Sequence, residues 1–297
     1  MRGARPEIDP ARRPLAILAG GGAFPLLVAE AAVRAGRPVA IFAIRGEADP
    51  AIEAHRHRWI GRGQLGTLLS GMRRIGAREL VIIGGIRARR LPRLSELDFT
   101  GIWVVLRNLR ILRQGDDGLL RKIAKLIEAR GVTIVGAAEV APELLMPAGP
   151  LGRLVPNARD QIDIAAGLPE ARRHGAADLG QAVIVVDGVV VAHEGPQGTD
   201  AMISAFEAGR GRLEAPSGVL VKCAKPTQDR RLDMPAIGPD TVLQAARAGL
   251  AGIAVEQGAA LVADRAAVAG VADTRGIFVV GIGDGDPTLA ADGEGAP

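Results

Sequence analysis

The stretch PLAILAGGGAFPLLVAEAAVRAGRPVAIFAI, residues 14–44, leaves few ways to fold. Leu15–Ala19 and Val39–Ile44 are unbroken apolar runs, too short for buried helices and suited to strands covered on both faces. Between them Gly20, Gly21 and Gly22 make a tight turn, and Leu26, Leu27, Ala29 and Val33 recur at the helical period. Pro25 falls in the first helical turn and Gly36 closes the helix. A strand, crossover helix and strand of this length form a right-handed parallel pair. The pattern continues with a helix over 64–75, a strand over 79–85, a helix over 116–130 stopped by Gly131, and a strand over 132–137. Such alternation predicts an open parallel sheet with helices on both faces.

The stretch MPAGPLGRLVPNA, residues 146–158, interrupts this rhythm with proline and glycine. At 297 residues the chain is long enough for two domains. The boundaries follow: an N-terminal domain over 14–146, a linker over 147–158, and a C-terminal domain over 159–285. In the second half, two β-branched runs flank Asp187-Gly188, a type I′ hairpin signal. Helices start near Ala158, Thr199, Pro239 and Asp264, with apolar strands between them, which predicts a mixed α/β domain.

Composition narrows the function. Aromatic residues make up 2% and tyrosine is absent, so stacking platforms for single-stranded nucleic acid are missing and no nucleic-acid partner is expected. A formal charge of +4 suits an anionic small ligand or an anionic membrane surface. The lone cysteine, Cys223, permits no disulfide within the chain and points to a reducing compartment. No apolar run approaches the ~18 residues of a membrane span. A soluble cytoplasmic protein is expected, with a disordered lead over 1–13 and a disordered tail from about residue 286.

Six places carry candidate chemistry. Gly20–Gly22, between a strand and a helix, can let backbone amides approach a phosphate, or can simply be a tight turn. No acid closes the second strand, since Glu47 and Asp49 follow Gly46, so the turn is a poor nicotinamide fingerprint. His55 and His57 alternate as metal ligands on a strand do, but His174 and His193 are distant in sequence and an exposed pair is the plainer reading. Cys223 has no histidine pattern for nucleophilic catalysis. Asp116 and Asp117 precede a helix, where capping competes with metal contact. Thr199 and Asp200 start another helix, where capping competes with anion binding.

The sixth place is KCAKPTQDRRLDMPAIGPDT, residues 222–241. It leaves the carboxyl end of a buried-looking strand, the usual location of a site. Its prolines restrict it, and rigid loops hold catalytic groups well. Lys222, Lys225, Arg230 and Arg231 can meet a phosphate. Asp229 and Asp233, four apart, can share a metal or divide metal binding and water positioning between them.

Taken in order, AGGGAFPLLVAEAA, GDDGLLR, GPQGTDAM, KPTQDRRLDMPAIGPDT, AGLAGIAVE and DTRGIFVVGI resemble the LpxI-type UDP-2,3-diacylglucosamine pyrophosphatases of lipid A biosynthesis. The resemblance runs from about Leu15 to Ile282. It implies a Rossmann-like N-terminal domain linked to a C-terminal α/β catalytic domain, with the ligand between them. It implies hydrolysis of the substrate's pyrophosphate to UMP and 2,3-diacylglucosamine 1-phosphate (lipid X), with Mg²⁺ or Mn²⁺. It also implies work from the cytoplasm at the inner leaflet of the inner membrane, and pairing as homodimers. On this view Asp233, Asp229 and Lys225 are catalytic, and Asp233 and Asp229 hold the metal. Gly20, Gly21, Gly22, Thr199, Asp200, Lys222, Arg230 and Arg231 bind substrate. The rivals are a dinucleotide-dependent oxidoreductase built on the glycine turn and a non-catalytic lipid- or nucleotide-binding protein.

Overall fold

A computed structural model describes residues 13–86, 97–102, 116–210, 215–226 and 228–283. The lead over 1–12 and the tail from 284 lie outside the described residues. The chain divides into two units, each with its own core. One comprises residues 1–142 together with Asp229–Asp233; the other comprises 143–228 and 234–297.

In the N-terminal unit, β1 (Leu15–Ala19), α1 (Phe24–Arg34), β2 (Val39–Ile44), β3 (His57–Ile60), α2 (Leu65–Ile75), β4 (Glu79–Ile83), α3 (Asp116–Glu128), β5 (Thr133–Ile134) and α4 (Ala137–Val140) follow one another. The sheet is wholly parallel in the order β3-β2-β1-β4-β5. That is a doubly wound order, and it reverses direction between β1 and β4. Every residue of β2 is buried, as its unbroken apolar sequence requires. Gly76 closes α2 in the left-handed region at φ 75°. Strand β3 went unnoticed in the sequence because its first two residues, His57 and Arg58, are polar and exposed at the sheet edge.

In the C-terminal unit the elements are β6 (Gly149–Pro150), α5 (Ala158–Ala176), β7 (Ala182–Val186), β8 (Val189–His193), α6 (Thr199–Gly209), β9 (Val219–Lys222), β10 (Ala236–Ile237), α7 (Pro239–Arg247), β11 (Gly252–Glu256), β12 (Leu261–Val262), α8 (Arg265–Arg275) and β13 (Phe278–Ile282). A six-stranded mixed sheet runs β6-β13-β11-β9-β7-β8, and β10 pairs with β12 separately. Alternate residues of β7 and β9 enter opposite cores: Ile184 and Leu220 pack on one face, Val183, Val185, Val219 and Val221 on the other. Asp187 (φ 53°) and Gly188 (φ 73°) both take positive φ, which is the I′ hairpin expected there. Part of the expected linker is structured: Gly149–Pro150 adds the edge strand β6 to this sheet. Asn157 caps α5, its side chain accepting from the amides of Arg159 and Asp160, while Asp160 accepts in return from the Asn157 amide.

Candidate functional site

The glycine turn sits where the strand order reverses, the place where open α/β sheets usually receive ligands. Its backbone is largely closed on itself. Gly20 N donates to Ile83 O at 2.9 Å, Gly21 N to Gly85 O at 2.7 Å, and Gly85 N returns to Gly21 O at 3.0 Å. A Cβ at Gly20 would lie 2.4 Å from Gly84 O and 2.7 Å from Gly85 O, so this glycine serves close backbone packing. The amides of Gly20 and Gly21, expected to face a phosphate, are therefore committed within the fold. Gly22 differs: it is exposed, at φ 89°, with open space where a Cβ would stand. Asp49 does not supply a free ribose-binding acid, since it caps a short 3₁₀ turn through the Ala51 amide, and Glu47 lies 3.9 Å from Arg62.

A second centre lies in the C-terminal unit. Lys222 ends β9 and is 5% exposed. Its Nζ donates to Thr199 Oγ1 at 3.0 Å and to Ala236 O at 3.1 Å. The Thr199 hydroxyl donates to Glu194 Oε1 at 2.7 Å, and Glu194 Oε2 accepts from the Gln181 amide at 2.7 Å. Glu194 and Thr199 are also buried, at 6% and 8% exposed. A buried ammonium needs a buried carboxylate, and here the threonine hydroxyl joins them. Thr199 and Lys222, expected on the substrate, thus hold the start of α6 to the end of β9. Asp200, next along α6, is exposed.

Sequence reasoning missed Glu194. A glutamate just past the exposed strand β8 looks solvated. The available signal was the lysine at the end of the apolar run VLVK, which demands a buried partner.

The loop 222–241 is divided. Lys225 pairs with Asp178 at 2.7 Å, and its amide donates to Gln228 Oε1 at 3.2 Å, both within the C-terminal unit. Asp229–Asp233 belongs to the N-terminal unit. The amides of Leu232 and Asp233 both bond to Asp229 O, closing one helix-like turn. Leu232 is 8% exposed in a core shared with Ala124, Ile127 and Ile134. Asp229 accepts from Arg231 through both oxygens, Oδ1 from Nε at 3.0 Å and Oδ2 from Nη2 at 2.8 Å. Arg231 also donates to Glu128 Oε1 at 2.8 Å. The hydrogen bond from Arg231 holds the Asp229 carboxyl below its usual range, and the Asp229 and Glu128 carboxylates raise the guanidinium further. Asp229 and Arg231 are thus committed to each other, while Arg230 is exposed and Asp233 half-buried.

The remaining candidates separate cleanly. Cys223 is buried. His57 Nδ1 contacts the His55 carbonyl, and among the described residues neither imidazole joins a metal cluster. Distant in sequence, His174 and His193 have ring centroids 5.0 Å apart, and His193 contacts Glu170 at 2.7 Å. The side chains of Asp116 and Asp117 lie outside the described residues. Among the described residues, no three His, Cys, Asp or Glu gather into a metal cage. The donor set fits a cation held partly by its substrate, because Mg²⁺ commonly uses one or two carboxylates plus phosphate oxygens. Asp229 can supply such a carboxylate only by releasing Arg231, and half-buried Asp233 carries a second carboxylate in the same turn.

The two domains and their polar loops define a two-domain α/β protein with a cation- and carboxylate-bearing loop anchored in its core. The family model for the LpxI N-terminal domain matches residues 14–144, and that for the LpxI C-terminal domain matches 147–280. The UDP-2,3-diacylglucosamine pyrophosphatase LpxI of Caulobacter vibrioides is 39% identical over 281 residues, 91% of this chain and 98% of that protein. The chain belongs to the LpxI family.

Proposed function

We propose that the protein hydrolyses the pyrophosphate bond of UDP-2,3-diacylglucosamine, releasing UMP and 2,3-diacylglucosamine 1-phosphate, as a step of lipid A synthesis. The match through both domains to a protein bearing that name carries the reading. The closed glycine turn counts against the nicotinamide alternative, since the amides it needed are taken.

The chemistry asks for a placed water and neutralised phosphate oxygens. Arg230 is exposed beside the anchored turn, which supports it as a cation that meets the diphosphate. Lys225 joins it by exchanging Asp178 for a phosphate oxygen. Arg231 and Asp229 hold the turn. Asp233 orients the attacking water and takes its proton as the new P–O bond forms and the bridging P–O bond breaks. Gly22, exposed at the start of α1, and Asp200, exposed at the start of α6, are the candidate substrate contacts of their respective units. A Mg²⁺ or Mn²⁺ on Asp233 and the diphosphate would add charge neutralisation.

The diacyl substrate supports a location at the cytoplasmic face of the inner membrane, and the family resemblance supports a homodimer; no helix among the described residues is long and apolar enough to cross a membrane. UMP release is measured from detergent-dispersed substrate, with EDTA and then with Mg²⁺ or Mn²⁺ restored. Turnover abolished by EDTA and restored by metal is expected. No UMP under any condition would overturn the reading, and turnover untouched by EDTA would remove the metal from it.

A further inference from the structure

Phe99 is 93% exposed, the most exposed of the large apolar side chains among the described residues. Residues 99–102 are helical, and the segment is well fastened. Asp98 Oδ2 accepts from Thr67 N at 2.8 Å and from Thr67 Oγ1 at 3.3 Å, and Oδ1 accepts from the Gly101 amide at 2.9 Å. Burial alone would raise the Asp98 carboxyl; the amides of Gly101, Thr67 and Gly66 and the Thr67 hydroxyl hold it below its usual range. Leu97 bridges to Gly63. Asp98 therefore covers the N-terminus of α2 and fixes Phe99 in solvent. A single exposed apolar residue is ordinary; one presented by a four-bond cap beside cations is less so.

Those cations line a concavity of about 510 Å³ at the same helix start, formed by Arg45, His57, Arg58, Trp59, Gln64 and Thr67. No carboxylate is among its lining residues. Arg45 leans on the Trp59 carbonyl at 3.3 Å, and the Trp59 indole donates to Glu53 at 2.9 Å. Arg45 and Arg58 are both exposed, so two like charges share one hollow and an anion relieves their repulsion. The sequence around Phe99 has the same bias. Between residues 87 and 113 it holds seven arginines against two acids, a net +5, in a chain whose total is +4.

We propose that this face, Phe99 with Arg45 and Arg58, docks on an anionic lipid surface. The ring enters the headgroup layer and the guanidiniums meet lipid phosphates. A folded protein partner fits less well, because one aromatic ring offers far less than the ~800 Å² per partner of a stable interface. The purpose of docking rests on the lipid-linked substrate of the proposed function; the docking itself is tested without substrate.

Co-sedimentation is measured with vesicles of phosphatidylcholine alone and of equimolar phosphatidylcholine and phosphatidylglycerol. The wild type is expected to sediment with the anionic vesicles and to be released by salt. Arg45→Gln/Arg58→Gln should lower that partition about tenfold or more, given roughly 1 kcal/mol per cation near such a surface, and Phe99→Ser several-fold. Circular dichroism should match the wild type, as should hydrolysis of detergent-dispersed UDP-2,3-diacylglucosamine. Equal sedimentation with both vesicle types, none with either, or unchanged partition in the variants would overturn the proposal. So would loss of detergent-phase turnover in Phe99→Ser, which would make the ring a substrate contact. A wild type that sediments yet never releases UMP would leave docking standing and bring down the functional reading instead.

Discussion

The starts of α1 and α6 look alike in sequence, each a glycine-bearing turn running into a helix, but they are closed by different physics. At α1 the turn is held by backbone alone, with Gly20 and Gly21 bonded to Ile83 and Gly85 and no charge involved. At α6 it is held by a buried charge pair, Glu194 and Lys222, joined through Thr199. In both, the groups that resemble a ligand cradle are already satisfied, and the next residue along, Gly22 or Asp200, is the exposed one. A motif at a helix start shows where a ligand can come; it does not show which atoms remain to receive it.

The two closures should fail differently. Glu194→Ala removes the acceptor of the Thr199 hydroxyl and a buried carboxylate linked through it to the Lys222 ammonium, and should cost about 3–5 kcal/mol in urea unfolding. Adding Lys222→Met should restore much of that loss, and a double variant no more stable than Glu194→Ala would break the charge-pair account. Gly20→Ala should cost about 1–3 kcal/mol, because its Cβ meets backbone atoms that cannot step aside. No second substitution at a charged site should rescue it. Gly22→Ala meets nothing in space but must hold φ 89°, for roughly 1–2 kcal/mol. If its substrate KM also rises while that of Gly21→Ala does not, the division between committed and exposed glycines is sharpened.

The smallest effect concerns acids of opposite sign. Burial pushes the fully buried Asp163 carboxyl up; Oδ1 accepts from the Gly188 amide at 2.6 Å and Oδ2 has no partner. The unfolded chain then ionises first. Asp163 favours the fold below the ordinary carboxylate range and loses that contribution as pH rises toward its raised native value. Asp229, held low by Arg231, does the reverse: its contribution is present above the ordinary range and fades as pH falls. Asp163→Asn should therefore gain stability at neutral pH and flatten the profile just above the ordinary carboxylate range, whereas Asp229→Asn should lose stability at neutral pH and little in acid. Unfolding curves at several pH values check both signs.

Much of the fold was legible because its signals are local. Unbroken apolar runs gave β1, β2 and β11, Gly36 and Gly131 follow helix ends at positive φ as expected, and Asp187-Gly188 turned a hairpin. The two-residue strands β6, β10 and β12 were not legible, since so short a segment has no period to detect. The site was legible as a region and less so atom by atom. Whether Arg231 faces substrate or Glu128 depends on a partner 103 positions away. The membership of Asp229–Asp233 in the N-terminal unit depends on Leu232 finding the core of Ile127 and Ile134, which no window of sequence contains.

The central claim is that within this one anchored turn Asp229 is structural and Asp233 chemical. It is tested most directly by kcat for UMP release in Asp233→Asn and Asp229→Asn, each confirmed folded and with substrate Kd measured. Asp233→Asn should lower kcat by on the order of 10², the scale for losing a placed general base, with Kd unchanged or tighter, while Asp229→Asn keeps kcat within several-fold. A folded Asp233→Asn enzyme turning over at the wild-type rate would contradict the account.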